Sequence, residues 1–342
     1  MPQVSVIIPN YNHADFLRQR IESVLAQTFT DYELIILDDY SPDNSREVIA
    51  EYASKHPQIK TVFNEQNSGS PFAQWNKGCE LAKGEYLWFA ESDDFCEPKL
   101  LETLVPLLNK NANVGIAYAQ TYLVDEKGAV KNSYLKNLDF IYKNDTWHTH
   151  FIKNGAEACK EWLLFHNPIP NASGALIRKR NFVEAGMGDA SMKLNGDWFL
   201  YAKILAESDL AFSNEHLNYF RVHDRTQRQR AKVDGTVYLE IIRINDFIRE
   251  HIKDSKTNAD LALRKIADWW IGSIPRQKWT VGNFQINRQL YGVFKKYRGW
   301  VLFHICYTYI LLTARKVLYH LGLLKVAKTA RFKMFPGKYF TH

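Results

Sequence analysis

Four apolar runs, each following or preceding a helix-forming stretch, occupy the first ninety residues and constrain the fold of this chain more than any other feature. "VSVIIP" from Val4 is a continuous β-branched run of the kind found in strands buried on both faces, and "ADFLRQRIESVLAQ" follows it with Phe16, Leu17, Ile21, Val24 and Leu25 at helical spacing. "YELIILDD" is a second buried strand, and "SPDNSREVIAEYASKHP" opens with turn and capping residues before another amphipathic helix. "IKTVF", a helix over "PFAQWNKGCELAKG" and a fourth strand, "EYLWFA", complete the series. Strands alternating with helices predict an α/β domain with a mostly parallel sheet flanked by helices.

Such sheets take ligands at the carboxyl ends of their strands. The rule brings Pro9 to Asn12, Asp38 to Ser41 and Glu91 to Asp94 to one edge. Beyond residue 114 the alternation loosens: "VGIAYAQTYLVD", "SGALIRK" and "LNYFRVH" read as strands and "GDWFLYAKILAE" as a helix. From about residue 235 the pattern is mainly helical, with "VYLEIIRINDFIREHI" strongly amphipathic. The expected division is a domain over 1–230 and a helical, basic C-terminal region over 231–342.

Charge also divides the chain, at a later point. Thirteen of the 44 Lys and Arg lie beyond Asp268, the last acidic residue, so the body carries about −6 and the tail about +13. The four cysteines, Cys79, Cys96, Cys159 and Cys306, lie far apart without a CxxC pair, which argues for reduced thiols and a cytoplasmic protein. No signal-peptide pattern precedes the first strand.

Acids at the strand ends are the chemical signal. Glu91, Asp93 and Asp94 in "WFAESDDFCEP" repel one another where a buried strand stops, and Asp38 and Asp39 end a second strand on the same edge. Helix-entry charge accounts for one or two of them. Clustered carboxylates are tolerated around a divalent cation, and hard oxygen donors select Mg²⁺ or Mn²⁺, which take one or two protein carboxylates and complete their shell with water and phosphates.

"VSVIIPNYN", "QTFTDYELIILDDYSPDNS" and "NSGSPFAQWNKGCELAKGEYLWFAESDD", in that order and spacing, resemble the donor-binding half of family 2, GT-A fold (Rossmann-like) glycosyltransferases, with a weaker likeness to about residue 225. The resemblance implies inverting transfer from a nucleoside diphosphate sugar, commonly UDP-linked, to a saccharide or lipid-linked acceptor in capsule, O-antigen or exopolysaccharide synthesis. It places Pro9 and Tyr11 against the nucleobase and Asp39 on its hydrogen-bonding edge. It places Asp93 at the ribose or metal and makes Asp94 the main metal ligand. Asp197 in "MKLNGDWFLYAKI" matches the general base, at the start of a helix after a glycine turn. In "YFRVHDRTQRQR", His223 matches a residue that approaches the metal, and Arg221 lies nearby to offset charge on a departing diphosphate.

This chain departs from the family pattern in three places. Glu91 stands where Asp is usual, Gln74 and Trp75 occupy a stretch that often carries Arg, and Gly196 replaces a Glu before the base. Trp75 reads first as a packing residue, and Trp198 equally as a packing or sugar-stacking residue. The segment from 299 to 324, apolar but interrupted by His304, Arg315, Lys316 and His320, is expected to lie on the inner face of the cytoplasmic membrane rather than to span it. A helical subdomain with a basic outer face is the other reading. No nucleic-acid-binding motif accompanies the basic tail. Nucleotidyl transfer and dehydrogenase chemistry lack their glycine-rich loops, and the alternative outside enzymes is an inactive saccharide-binding scaffold.

Overall fold

A computed structural model describes residues 1–222, 235–274, 277 and 280–295. Four strands carry the parallel half of the sheet: β1 (Val4–Asn10), β2 (Tyr32–Asp38), β3 (Ile59–Phe63) and β4 (Tyr86–Phe89). β1 lies between β2 and β4, with Val4 opposite Tyr32 at one end and Asn10 opposite Asp38 at the other. Every residue of β1 and β4 is buried, as continuous apolar runs require when helices cover both faces. The helices are α1 (Ala14–Leu25), α2 (Ser45–Lys55) and α3 (Pro71–Leu81), followed by α4 (Leu100–Asn109) after the acidic loop.

Among the described residues the strands form one ten-stranded sheet in the order β3-β2-β1-β4-β9-β6-β10-β5, with β7 on β6 and β8 on β10. The remaining strands are β5 (Phe95–Cys96), β6 (Val114–Val124), β7 (Val130–Ser133), β8 (Phe151–Lys153), β9 (Ala175–Arg178) and β10 (Asp209–Arg221). Here the sheet is mixed: β6 and β10 are parallel, but β9 runs antiparallel to both β4 and β6. β9 is preceded by a long irregular excursion rather than a single crossover helix, so nothing forces it into the parallel sense. Its direction matters, because it starts beside the carboxyl end of β4 and brings the preceding Asn171 and Ser173 to the acidic loop.

The core on one face joins Val6, Ile8, Ile36 and Trp88 of the sheet to Leu17, Ile21 and Val24 of α1 and to Leu101 and Leu104 of α4. On the other face α3 lies close against β1: a Cβ at Gly78 would stand 2.5 Å from Ile7 Cγ2, so only glycine fits. Helices α5 (Leu135–Tyr142), α6 (Gly155–Ala158), α7 (Lys179–Glu184) and α8 (Gly196–Leu205) follow in sequence. Helices then span Thr236–His251, Lys256–Ser273 and Val281–Phe294. The described residues within 1–232 and 239–263 form one unit, and those within 233–238 and 264–342 a second. No helix among the described residues is long and apolar enough to cross a membrane. The 299–324 segment and His223 lie outside the described residues.

Candidate active site

The strand order places the ends of β1, β2 and β4 side by side, and the loops that follow them are locked together by polar side chains. Asn10 donates to Asp38 Oδ1 at 2.9 Å and to Ser41 Oγ at 3.1 Å, and the Asn12 amide donates to the same Ser41 Oγ at 3.0 Å. Asp38 is thereby a loop anchor: its other oxygen takes the Ser41 amide and Arg46 Nε, each at 3.1 Å. Asp39 is also buried and accepts from Asn64, from the amide and hydroxyl of Ser68, and from Gln74 at 2.9 Å. Pro9 is enclosed within β1, whereas Tyr11 is exposed beside a cavity of about 530 Å³ that Tyr40, Ser41, Arg46 and Asn67 also line. The sequence expectation that Pro9, Tyr11 and Asp39 share an edge therefore matches their placement, with Asp39 already holding four protein groups.

The acidic loop is organised from beneath. Glu91 Oε1 accepts the Trp75 indole N–H at 2.8 Å, its amide meets Ser173 Oγ at 3.1 Å and its carbonyl takes Arg20 Nε at 2.9 Å. Asp94 is buried, with one oxygen on Asn171 at 2.5 Å and Ser173 at 2.6 Å and the other on the Arg221 amide at 2.9 Å. Burial raises the Glu91 carboxyl to about 8, and the charge of Asp93 adds to the shift. The same two causes raise Asp94, against the opposing pull of Arg20, Ser173 and the Arg221 amide. Glu91 and Asp93 are half-buried and Asp94 is buried.

Two of the expected site residues have protein partners in this structure. Asp94, expected as the main metal ligand, spends both oxygens on three protein donors, and its burial makes it the post that ties β9 and β10 to the loop. Arg221, expected at the diphosphate, is 1% exposed and turned inward. Its guanidinium donates to Asp93 O, Asp125 O, Glu126 O and Gln19 Oε1, and lies 4.7 Å from the Phe16 ring centroid and 5.4 Å from that of Phe95. A buried guanidinium with these partners holds the loop together.

Arg20 was not expected at all. It is 0% exposed and lies 5.8 Å from the Trp88 ring centroid, and its charge lowers the proton affinity of Glu91, Asp94 and Cys96. A signal existed: Leu17, Arg20, Ile21 and Val24 share one helical face, and a cation in an apolar stripe needs a partner.

α8 supplies the remaining wall. Gly196 stands where a Cβ would come within 2.4 Å of the Phe72 ring, which accounts for the missing Glu: the space belongs to α3. Asp197 follows in the first turn of α8, half-buried. One turn later the fully buried Tyr201 hydroxyl has its pKa raised well above the usual value, by burial first and then by the charges of Asp197 and Glu91. The residues before α8 are held by Glu240, whose carboxylate takes the amides of Lys193 at 2.6 Å, Leu194 at 3.1 Å and Asn195 at 2.9 Å. Nothing in the sequence around Glu240 distinguishes it from a solvated helix acid. Trp75 stacks on Phe89 at 4.5 Å, and Trp198 is buried with its indole on Leu163 O at 2.9 Å, so both are packing residues.

The acidic loop offers carboxylate oxygens from Glu91, Asp93 and Asp94, the kind of donor that suits Mn²⁺ or Mg²⁺. Among the described residues, no three His, Cys, Asp or Glu side chains are grouped to enclose a metal unaided. A cation that draws most of its ligands from phosphate and water needs no such group.

Residues 5–182 match the family described as Glycosyl transferase family 2. The chain belongs to that family. Among similar family members, an uncharacterized glycosyltransferase of Nostoc sp. is 41% identical over 268 residues, covering 72% of this chain and 76% of the relative. An uncharacterized glycosyltransferase of Rickettsia typhi is 32% identical, and the match covers 65% of each protein. The fold is shared with Staphylococcus aureus TarS, crystallised with UDP-GlcNAc, at a TM-score of 0.57 and 17% identity over 79% of this chain and 72% of TarS. It is shared too with the Pyrobaculum calidifontis mannosyltransferase PcManGT, solved in complex with GDP-Man and Mn²⁺, at a TM-score of 0.54 and 15% identity over 92% of this chain and 87% of PcManGT. The family is thus set by sequence, and the GT-A architecture by shape.

Proposed function

We propose that this chain transfers a sugar, with inversion, from a nucleoside diphosphate sugar to a saccharide or lipid-linked saccharide acceptor. The observation that carries the reading is the convergence of the ends of β1, β2 and β4, which brings the Asp38–Asp39 loop and the acidic loop Glu91–Asp94 to one edge in a chain whose residues 5–182 match family 2. Asp197 is the general base. It takes the proton of the acceptor hydroxyl as that oxygen bonds to the anomeric carbon, and the bond to the diphosphate breaks on the opposite face. Asp94, with Asp93 beside it, would hold a divalent cation, whose charge would offset that of the diphosphate. Asp94, Arg221 and Arg20 keep the loop in place, and Tyr11 and Asp39 border the nucleobase.

Uridine is the base proposed first, and the acceptor belongs to capsule, O-antigen or exopolysaccharide synthesis. The basic C-terminal region attaches the enzyme to the inner face of the cytoplasmic membrane, where a lipid-linked acceptor would be met.

Calorimetric titration with UDP, GDP, CDP and ADP, with and without Mn²⁺, tests the donor site. The expected result is cation-dependent binding of one nucleotide, lost in Asp93→Asn. No binding of any nucleotide under either condition would overturn the reading in favour of an inactive scaffold.

A further inference from the structure

The loop between β2 and α2 carries an aromatic side chain where the backbone disfavours one. Tyr40 has φ of 63°, the left-handed region that glycine occupies without cost and a bulky residue rarely enters. Asn12, in the loop after β1, has φ of 59°, and Ser41 bonds that loop directly to the Tyr40 loop. Strained residues of this kind persist where their surroundings hold them, and they gather at ligand sites.

The surroundings of Tyr40 are unusual in their order. Arg46 lies between two rings, 5.4 Å from the centroid of Tyr40 and 5.5 Å from that of Phe63. It is pinned there by Asp38 at 3.1 Å and by the Asn64 carbonyl at 2.8 Å. One face of Tyr40 is thus backed by a fixed guanidinium. Yet the residue remains 52% exposed and borders the same 530 Å³ cavity as Tyr11, itself 46% exposed. A ring with one face already against a hydrogen-bonded guanidinium has less side-chain freedom to lose, so a planar ligand stacks on its other face at smaller cost.

We propose that Tyr40, backed by Arg46, is an aromatic wall of the nucleobase pocket and, with Tyr11, determines how tightly this chain holds the base of its donor. The inference rests on the donor reading above and deepens it by naming the residue that grips the base.

The test is calorimetry of the full chain and its Tyr40→Phe, Tyr40→Gly and Tyr40→Asn variants with the nucleoside diphosphate that binds best, alongside inorganic pyrophosphate, all with Mn²⁺. Glycine and asparagine both tolerate the left-handed backbone, so melting temperatures should hold or rise while the ring is lost. The expected result is wild-type affinity for Tyr40→Phe and a loss of about tenfold for the other two, the scale of one base stacked on an aromatic ring. Pyrophosphate, which has no base, should bind all four proteins alike. If wild type binds a nucleotide and folded Tyr40→Gly or Tyr40→Asn binds it equally well, the wall is refuted while the donor site stands. If wild type binds no nucleotide, both readings fall together.

Discussion

Single side chains in this protein carry charge into places that must balance it. Arg20 sits at zero exposure against the acidic loop, and removing one partner of a buried charge set typically costs about 3–5 kcal/mol. Arg20→Met is therefore expected to lower the unfolding free energy by about 3 kcal/mol in urea titration, well beyond the ordinary surface substitution. His216 gives a pH-dependent counterpart. Its ring stacks on Tyr122 at 4.2 Å, bonds Ser133 Oγ at 2.7 Å, and is held by burial below the usual imidazole pKa of 6.5. The unfolded chain then takes up a proton before the folded one does. The stability this group contributes is present above about pH 6.5 and is lost as pH falls through the lower folded value. Melting temperature should drop between about pH 7.5 and about pH 5.5, and His216→Gln should flatten part of that slope. An identical slope in the variant would assign the effect elsewhere.

At the scale of elements, the site depends on how α3 and α8 share one volume. Gly196 and Phe72 compete for it, so Gly196→Ala is expected to cost about 2 kcal/mol, as overpacking does. The cost should shrink in a Phe72→Ala background, where the ring that a Cβ would strike is gone, and a double-mutant cycle measures the coupling. The missing Glu of the family motif was visible in the sequence; its cause was not, because Phe72 lies on another helix 124 residues away. The same holds for the loop before α8. Glu240 binds three successive amides there, and the spacing of a helix acid gives no hint of a partner 45 residues upstream.

At the scale of the whole molecule, charge is distributed by region. The carboxylates around Asp93 repel, so Mn²⁺ that binds the folded form alone should raise the melting temperature of wild type, and by RT ln(1 + [L]/Kd) the gain grows with concentration. Asp93→Asn should remove most of that gain. The thirteen bases beyond Asp268 predict a separate behaviour: co-flotation with vesicles containing phosphatidylglycerol at low salt, reversed at high salt, and none with neutral vesicles. Flotation that ignores salt would point to burial of apolar side chains instead. The sequence alone determined the α/β alternation, the convergence of the first, second and fourth strand ends, and the candidacy of Asp39, Asp93 and Asp197. The alternation and the convergence follow from local periodicity and from the rule that parallel strands end together, and the candidacy of the three acids follows from the resemblance of their motifs to family 2. Only the tertiary structure decided that β9 runs backwards to deliver Asn171 and Ser173, that Asp94 and Arg221 are buried, that Arg20 lies beneath the acidic loop and that Glu240 holds the residues before α8. Each of these depends on which distant groups fill a buried volume and satisfy a buried charge, and a linear sequence states the residues without stating their neighbours.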